Sequence, residues 1–472
     1  MGHEITPGER RVVLSAASVA AFLTPFMVAS LNLATPAIGR EFGMSAVLLG
    51  WIASAYLLAA AVSLIPFGKV ADLFGRKKIF ALGSLVYATA SASAIIAGST
   101  AAFLASRVLQ GIGGAMLMST SIAMLTSVYP PGERGRVLGI NVAFTYLGLS
   151  LGPVVGGVLT QHWGWRSIFV VNAVLGFVLV GLVAWKLRGE EWTGGFREKI
   201  DGIGAALMGV GLIGLMLGLG RLPSLDGAGL VLGAAAALSI FIFWEKKTPS
   251  PLLNMALFRG NRVFVFSNLA ALINYSATTA LGFLLSLYLQ YIKGIPPQTA
   301  GLILLAQPAM MVLFSPLAGR LSDRVEPRIL ASTGMAVLTA GLLLLAGLGP
   351  ATPTAFITGT LVLLGFGFAL FSSPNTNAVM GAAGPRSYGV ASAVLGTMRL
   401  TGQMISMGIA TFIFALRIGR VQITPDVHPG FLAASRIAFL LFAGFSLAGV
   451  FASLARGTVH RYNRHDHLKE DP

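Results

Sequence analysis

The sequence predicts an all-α polytopic membrane protein of fourteen spans, built as two related six-helix bundles with two further helices between them and both termini in the cytoplasm. Three observations predict it. First, 55% of the 472 residues are hydrophobic and only 11% are charged, whereas a soluble domain carries about 25% charged residues. Second, the apolar residues fall into fourteen runs of roughly 20 residues, the length a helix needs to cross the hydrocarbon core. Third, the basic loop Gly68-Lys69-Val70-Ala71-Asp72-Leu73-Phe74-Gly75-Arg76-Lys77-Lys78 has a degraded copy 251 residues later. That copy reads Gly319-Arg320-Leu321-Ser322-Asp323-Arg324-Val325-Glu326-Pro327-Arg328. Each loop sits between two apolar runs, which is the pattern of a duplicated chain.

In order, the first span covers 12–36, after charges at Glu9, Arg10 and Arg11. Its apolar run extends to Ile38, well beyond the 7–15 residues or so of a cleaved signal peptide, so it is read as a retained helix. Spans at 47–67 and 79–98 flank the basic loop; spans at 101–127, 137–160 and 167–186 complete the first half. Spans at 202–220 and 227–244 form the insert, between charged linkers running from Lys186 to Asp201 and from Glu245 to Arg262. The second half has spans at 264–291, 299–318, 329–347, 353–379, 388–415 and 434–455. The expected domains are therefore 1–188, 189–262 and 263–456, followed by a cytoplasmic tail at 457–472.

Charge fixes the orientation. With both ends inside, cytoplasmic segments hold 24 of the 33 Lys and Arg, outer loops hold seven, and Arg107 and Arg399 fall within spans. This is the positive-inside asymmetry, and it accounts for the net charge of +16 without nucleic-acid binding. All six Trp lie at span ends or in adjoining loops, where their rings suit the headgroup region. The chain has no cysteine, which excludes disulfides, thiolate metal sites and cysteine nucleophiles.

Several stretches carry chemistry. Gly148, Gly152 and Gly156 recur one turn apart beside Pro153 and Gly157, giving a smooth face on which another helix backbone can approach closely. A charge at mid-membrane is costly, so Arg107 is expected to face a cavity or a partner, with Gln110, Gly111, Gly114 and Ser121 on the same face. The alternative is a structural arginine satisfied by backbone carbonyls. Arg399 repeats the pattern, with Gln403 and Ser406 following it. Asn32, Asn375 and Asn377 are further polar residues inside spans, and the run Ser372-Ser373-Pro374-Asn375-Thr376-Asn377 reads as a broken helix lining a cavity. Asp72 is expected to lie against the N-terminus of a neighbouring helix, where the dipole favours negative charge. None of the 17 Asp and Glu falls inside a span: 14 lie in cytoplasmic segments, and Glu41, Asp226 and Asp426 lie in outer loops.

Taken in order, these motifs resemble the major facilitator superfamily, specifically its fourteen-helix drug:proton antiporter branch. The residues carrying the likeness are the Gly68–Lys78 loop, Arg107-Val108-Leu109-Gln110-Gly111-Ile112-Gly113, Gly148-Leu149-Ser150-Leu151-Gly152-Pro153-Val154-Val155-Gly156-Gly157, Trp165–Asn172 and Pro251–Arg259. The resemblance implies a cytoplasmic gate at Gly68, Asp72, Gly75 and Arg76, echoed by Asp323 and Arg324. It implies cavity or coupling roles for Asn32, Arg107, Gln110, Asn375, Asn377, Arg399 and Gln403. It also implies an export-associated helix seam at Gly148, Gly152, Pro153, Gly156 and Gly157. The family's first-span aspartate is replaced by Met27, so coupling shifts to helix ends, with Asp72 the leading candidate.

The expectation is a monomeric secondary-active exporter of amphipathic compounds in the cytoplasmic membrane, exchanging them for protons by alternating access. It uses no cofactor or metal, has no enzymatic activity, and has membrane lipids and small amphipathic substrates as partners. The nearest alternative is a transporter of one organic anion or neutral metabolite, with Arg107 and Arg399 facing the anion. A non-transporting receptor is the distant one, disfavoured because no loop is long enough for a soluble domain.

Overall fold

The computed structural model describes residues 6–186, 200–253, 255–384 and 388–457. Most of the first charged linker, Asn254 in the Pro251–Arg259 segment and all but the first residue of the expected tail lie outside the described residues. Fourteen helices are long and apolar enough to cross a membrane. They are α1 (Gly8–Glu41), α2 (Ala46–Phe74), α3 (Arg76–Ile95), α4 (Thr100–Val128), α5 (Gly132–Trp163), α6 (Arg166–Lys186), α7 (Gly202–Arg221), α8 (Leu225–Glu245), α9 (Arg262–Ile292), α10 (Pro297–Leu321), α11 (Pro327–Leu345), α12 (Thr354–Ala383), α13 (Gly389–Arg417) and α14 (Pro425–Ala455). Among the described residues there is no strand. The count matches the sequence expectation.

The helices begin where short polar side chains can satisfy the first free N–H groups. Thr6 and Glu9 form a reciprocal capping box at α1, and Ser45, Ser99, Asp201 and Ser224 cap α2, α4, α7 and α8. Most helices outrun the expected spans. The first basic loop is the clearest case: α2 continues to Phe74 and α3 starts at Arg76, leaving Gly75 alone as the break, at φ 111°. Only glycine takes that backbone readily, so the position dictates the residue. In the second half the corresponding connection is a five-residue turn, 322–326.

The expected break in α12 is absent. Pro374 sits within a helix continuous from Thr354 to Ala383. Pro costs a helix one backbone hydrogen bond, and polar side chains from neighbouring helices make such a residue tolerable in a span. Irregularity occurs in α9 instead, which closes on a π-turn at Tyr288–Ile292.

The chain forms two compact units. Unit one comprises residues 1–252, 282–305 and 407–431; unit two comprises 253–281, 306–406 and 432–472. Within unit one α1 packs on α5, α4 on both α2 and α3, α6 on α3 and α7 on α8, while the start of α10 lies against α5. Within unit two α12 packs against α11, α9 and the second part of α10. Unit one thus gathers the first six helices, the insert and those ends of α9, α10 and α13 that the charge pattern assigns to the outer side.

Candidate functional site

The glycine seam of α5 lies against α1. A Cβ placed on Gly152 would come within 2.5 Å of Ala29 Cβ, and one on Gly156 within 2.6 Å of Ser30 Cα; one on Gly148 would overlap the carbonyl oxygen of Phe22. With the backbones this close, Ser30 Oγ donates to the Gly152 carbonyl at 2.9 Å. The other edge of the same helix meets α10: Gly157 faces Pro297 and Gln298, and Gly301 faces the Pro153 carbonyl. The second half repeats the first crossing, with Gly402 of α13 against Leu272, Tyr275 and Ser276 of α9, and Ser406 Oγ accepting from the Ala280 N–H at 3.0 Å.

Arg107 lies where α4 crosses α2, at 1% exposure. Gly111 and Gly114 permit that crossing, since Cβ atoms there would overlap the Tyr56 backbone and ring. The Arg107 Nε donates to the Ile52 carbonyl at 3.1 Å and its Nη1 to Gln110 Oε1, while the guanidinium stands 4.8 Å above the Tyr56 ring. Gln110 passes the chain on to Ser91 Oγ at 2.8 Å. The Tyr56 hydroxyl is buried without a hydrogen-bond partner. Arg107 is therefore held by a backbone carbonyl, an amide and an aromatic face, the arrangement of the alternative in which carbonyls satisfy a structural arginine. Neutral partners suffice because a guanidinium is weakly hydrated and spreads its charge over a plane.

Arg399 is more open. Its Nη2 donates to Thr376 Oγ1 on α12 at 2.9 Å, its guanidinium stands 5.7 Å from the Tyr275 ring, and its buried Nε has no hydrogen-bond partner. Gln403, one turn on, is half-buried, and Tyr275 in turn meets Phe368 edge-on at 5.6 Å. Asn375 is buried: it donates to the Ser267 carbonyl at 3.1 Å and accepts from Arg456 Nη1 at 3.1 Å. Asn377 is exposed and donates to Ser322 Oγ at 2.7 Å, tying α12 to the turn that contains Asp323 and Arg324, both exposed.

Arg456 is the residue that sequence reasoning missed. It follows α14 directly, where hydropathy assigns a cytoplasmic segment, yet it is fully buried. Besides Asn375 it binds Ser267 Oγ at 3.2 Å, the Pro327 carbonyl at 2.9 Å and Ser453 Oγ at 2.8 Å. One guanidinium thus joins α9, α11, α12 and α14. Burial pulls it down to about 10, so it stays charged at neutral pH. A span boundary drawn one residue later would have made it conspicuous.

At the basic loop, Arg76 Nη2 pairs with Asp72 Oδ1 at 2.7 Å, its Nε reaches the same oxygen at 2.9 Å, and its Nη1 reaches the Ala123 carbonyl at 3.2 Å. A bond to Ser127 Oγ at 2.5 Å completes the set, so Asp72 orients an arginine that anchors the end of α2 to the end of α4. This replaces the expected helix-terminus partner: where Gly75 alone separates two helices, Asp72 and Arg76 are one turn apart and meet directly. Gly68 packs beside Ser119. The insert buries two carboxylates that composition placed in linkers: Asp201, which caps α7 and accepts from Trp244 Nε1 at 2.9 Å, and Glu245, 2% exposed, which accepts from the Leu252 N–H at 3.2 Å.

Comparison with known proteins decides the family. The model of the Major Facilitator Superfamily matches residues 17–406 and, separately, 267–470. This chain belongs to the major facilitator superfamily. Among its superfamily relatives, a riboflavin transporter, RibZ, of Clostridioides difficile is 26% identical over 449 residues, covering 94% of this chain and 97% of that protein. A tetracenomycin C resistance and export protein of Streptomyces glaucescens is 30% identical over 396 residues, covering 82% and 73%. A crystal structure of a mutant peptide transporter POT superposes with a TM-score of 0.71 at 16% identity, covering 96% of this chain and 95% of that one, a likeness of fold. As a superfamily member the chain is a multi-pass membrane transporter.

Proposed function

We propose that this transporter is a secondary-active exporter of amphipathic compounds in the cytoplasmic membrane, driven by exchange for protons. The observation that carries the proposal is the α5 seam, in which Gly148, Gly152 and Gly156 bring one helix backbone onto α1 around Pro153. The resemblance ties that seam to export, and an export protein stands among the relatives. The seam is built for rigid-body motion: close backbone packing transmits the movement of one helix to its neighbour without side-chain rearrangement.

The part of unit two around Arg399 offers amphiphiles a cation, the Tyr275 and Phe368 rings and a half-buried amide, Gln403. Proton exchange is assigned to the cytoplasmic helix ends, with Asp72 the residue of first choice, because its carboxylate is 41% exposed and holds Arg76 against α4. The test is efflux from proteoliposomes under an imposed pH gradient, comparing a cationic with an anionic dye. Asp72→Asn should abolish gradient-driven efflux while leaving downhill flux; unchanged gradient-driven efflux removes Asp72 from coupling. Flux of neither dye under any gradient overturns the exporter reading.

The second reading, a transporter for one organic anion or neutral metabolite, draws on the riboflavin-transporting relative and on the unpartnered Nε of Arg399. It predicts that the anionic dye is moved and the cationic one is not.

A further inference from the structure

Pro36 lies near the outer end of α1, inside a helix that runs on to Glu41. Because proline has no N–H, the carbonyl of Asn32, four residues earlier, loses its intrahelical donor, as the Ala21 carbonyl does before Pro25. In the structure that carbonyl is not orphaned. Ser286 Oγ of α9 donates to it at 2.6 Å. Gln290 Nε2, one turn further along α9, donates to the Leu33 carbonyl at 3.1 Å and to Ser286 Oγ at 3.0 Å. The Tyr291 hydroxyl donates to the Pro36 carbonyl at 3.4 Å. Gln290 and Tyr291 lie in the π-turn Tyr288–Ile292, whose wider winding lets neighbouring residues face the same helix. Gly282 completes the fit, since a Cβ there would lie 3.0 Å from the Asn32 amide nitrogen.

All of these residues belong to unit one, and they join a helix of the first sequence half to one of the second. Beside them α10 docks on α5 through Gln161 Oε1, which accepts the Gln298 N–H at 3.1 Å, and through His162 against Gln298 Oε1 at 3.1 Å. We propose that Ser286 and Gln290 form a clasp keyed to Pro36, which holds the outer ends of α1 and α9 together and is released when the transporter opens outward. The inference rests on the alternating-access reading above.

The chemistry suits a reversible contact. A carbonyl bared by proline must be satisfied in either state, by Ser286 when the helices meet and by water when they part. The Asn32 carbonyl is thus paired in either state, while Gln290 Oε1, buried without a partner when the helices meet, gains water when they part. A seam of apolar packing alone would have no such second partner. In an unbroken helix the Asn32 carbonyl would keep an intrahelical N–H, so losing Ser286 would not leave it unsatisfied.

The absence of cysteine makes this directly measurable. Asn32→Cys places a reporter thiol beneath the clasp and leaves the backbone carbonyl intact. Its rate of modification by a membrane-impermeant maleimide, in right-side-out vesicles, reads opening of the outer mouth without any substrate. Ser286→Ala should raise that rate about three- to tenfold, the equivalent of one interhelical hydrogen bond. Ser286→Thr keeps the donor and should label like the parent. In a Pro36→Ala background the substituted residue supplies an N–H to the Asn32 carbonyl, and the effect of Ser286→Ala should fall to less than twofold. An unchanged rate in Ser286→Ala, an equal increase in both backgrounds, or labelling only in inside-out vesicles overturns the clasp. Because labelling needs no transport, a failed exporter reading would show in the dye flux and leave these rates intact.

Discussion

Replacing Gly156 by alanine adds one methyl group to α5, and the structure gives its cost. The new Cβ would stand 2.6 Å from both Cα and Cβ of Ser30 and 3.0 Å from its carbonyl oxygen. Carbon atoms pack at about 3.5–4.0 Å, so α5 and α1 must part by about 1 Å. The atoms in the way belong mostly to backbone, so no side chain can turn aside. A separation of that size stretches the bond from Ser30 Oγ to the Gly152 carbonyl, now 2.9 Å, beyond hydrogen-bond reach. Overpacking costs about 1–3 kcal/mol, and the interhelical hydrogen bond adds about 0.6 kcal/mol. The expected loss is therefore about 2–4 kcal/mol. Gly139→Ala supplies the control on the same helix: a Cβ there meets nothing within 4 Å. That substitution should be neutral or should stabilise by up to about 1 kcal/mol, the helix propensity difference. Thermal unfolding of the purified protein in detergent reads both, and dye efflux reads the functional consequence. Equal melting temperatures for the two variants would refute the reasoning, because they would mean that α5 does not touch α1 as closely as described.

Two more substitutions test the buried arginines. Arg456→Ala should destabilise by about 2–5 kcal/mol, since it empties the volume of a fully buried side chain and leaves Asn375 Oδ1 unpaired inside unit two. Arg107→Ala should lower the melting temperature more than Arg107→Met, which keeps the packing and removes only the charge. Dye efflux should fall in both, and full efflux by the methionine variant would reduce Arg107 to a packing role.

The repeat around Asp72 and Asp323, the fourteen apolar runs and the charge asymmetry were sufficient to read the fold, because the bilayer imposes a length and a polarity that a sequence cannot disguise. The glycines of α5 were legible for a similar reason: residues spaced one helical turn apart must share a face. What they face was not legible. That α1 covers Gly148, Gly152 and Gly156, and α10 covers Gly157, follows from how helices distant in the chain come together.

The polar residues divide the same way. Arg107 and Arg399 stood out as charges within spans, but only the packed structure separates them. The first is enclosed by Ile52, Gln110 and Tyr56, while the second keeps an unpartnered Nε. Asp201, Glu245 and Arg456 looked like solvated loop charges because burial at a helix end depends on neighbouring helices, which hydropathy along one chain does not report. Pro36 announced a missing N–H. The sequence thus determined that the Asn32 carbonyl, like the others that precede an interior proline by four residues, would need a donor from elsewhere; the tertiary structure decided that Ser286 would be that donor. Local covalent chemistry creates such a vacancy, and a fixed register between two helices far apart in sequence is needed to fill it.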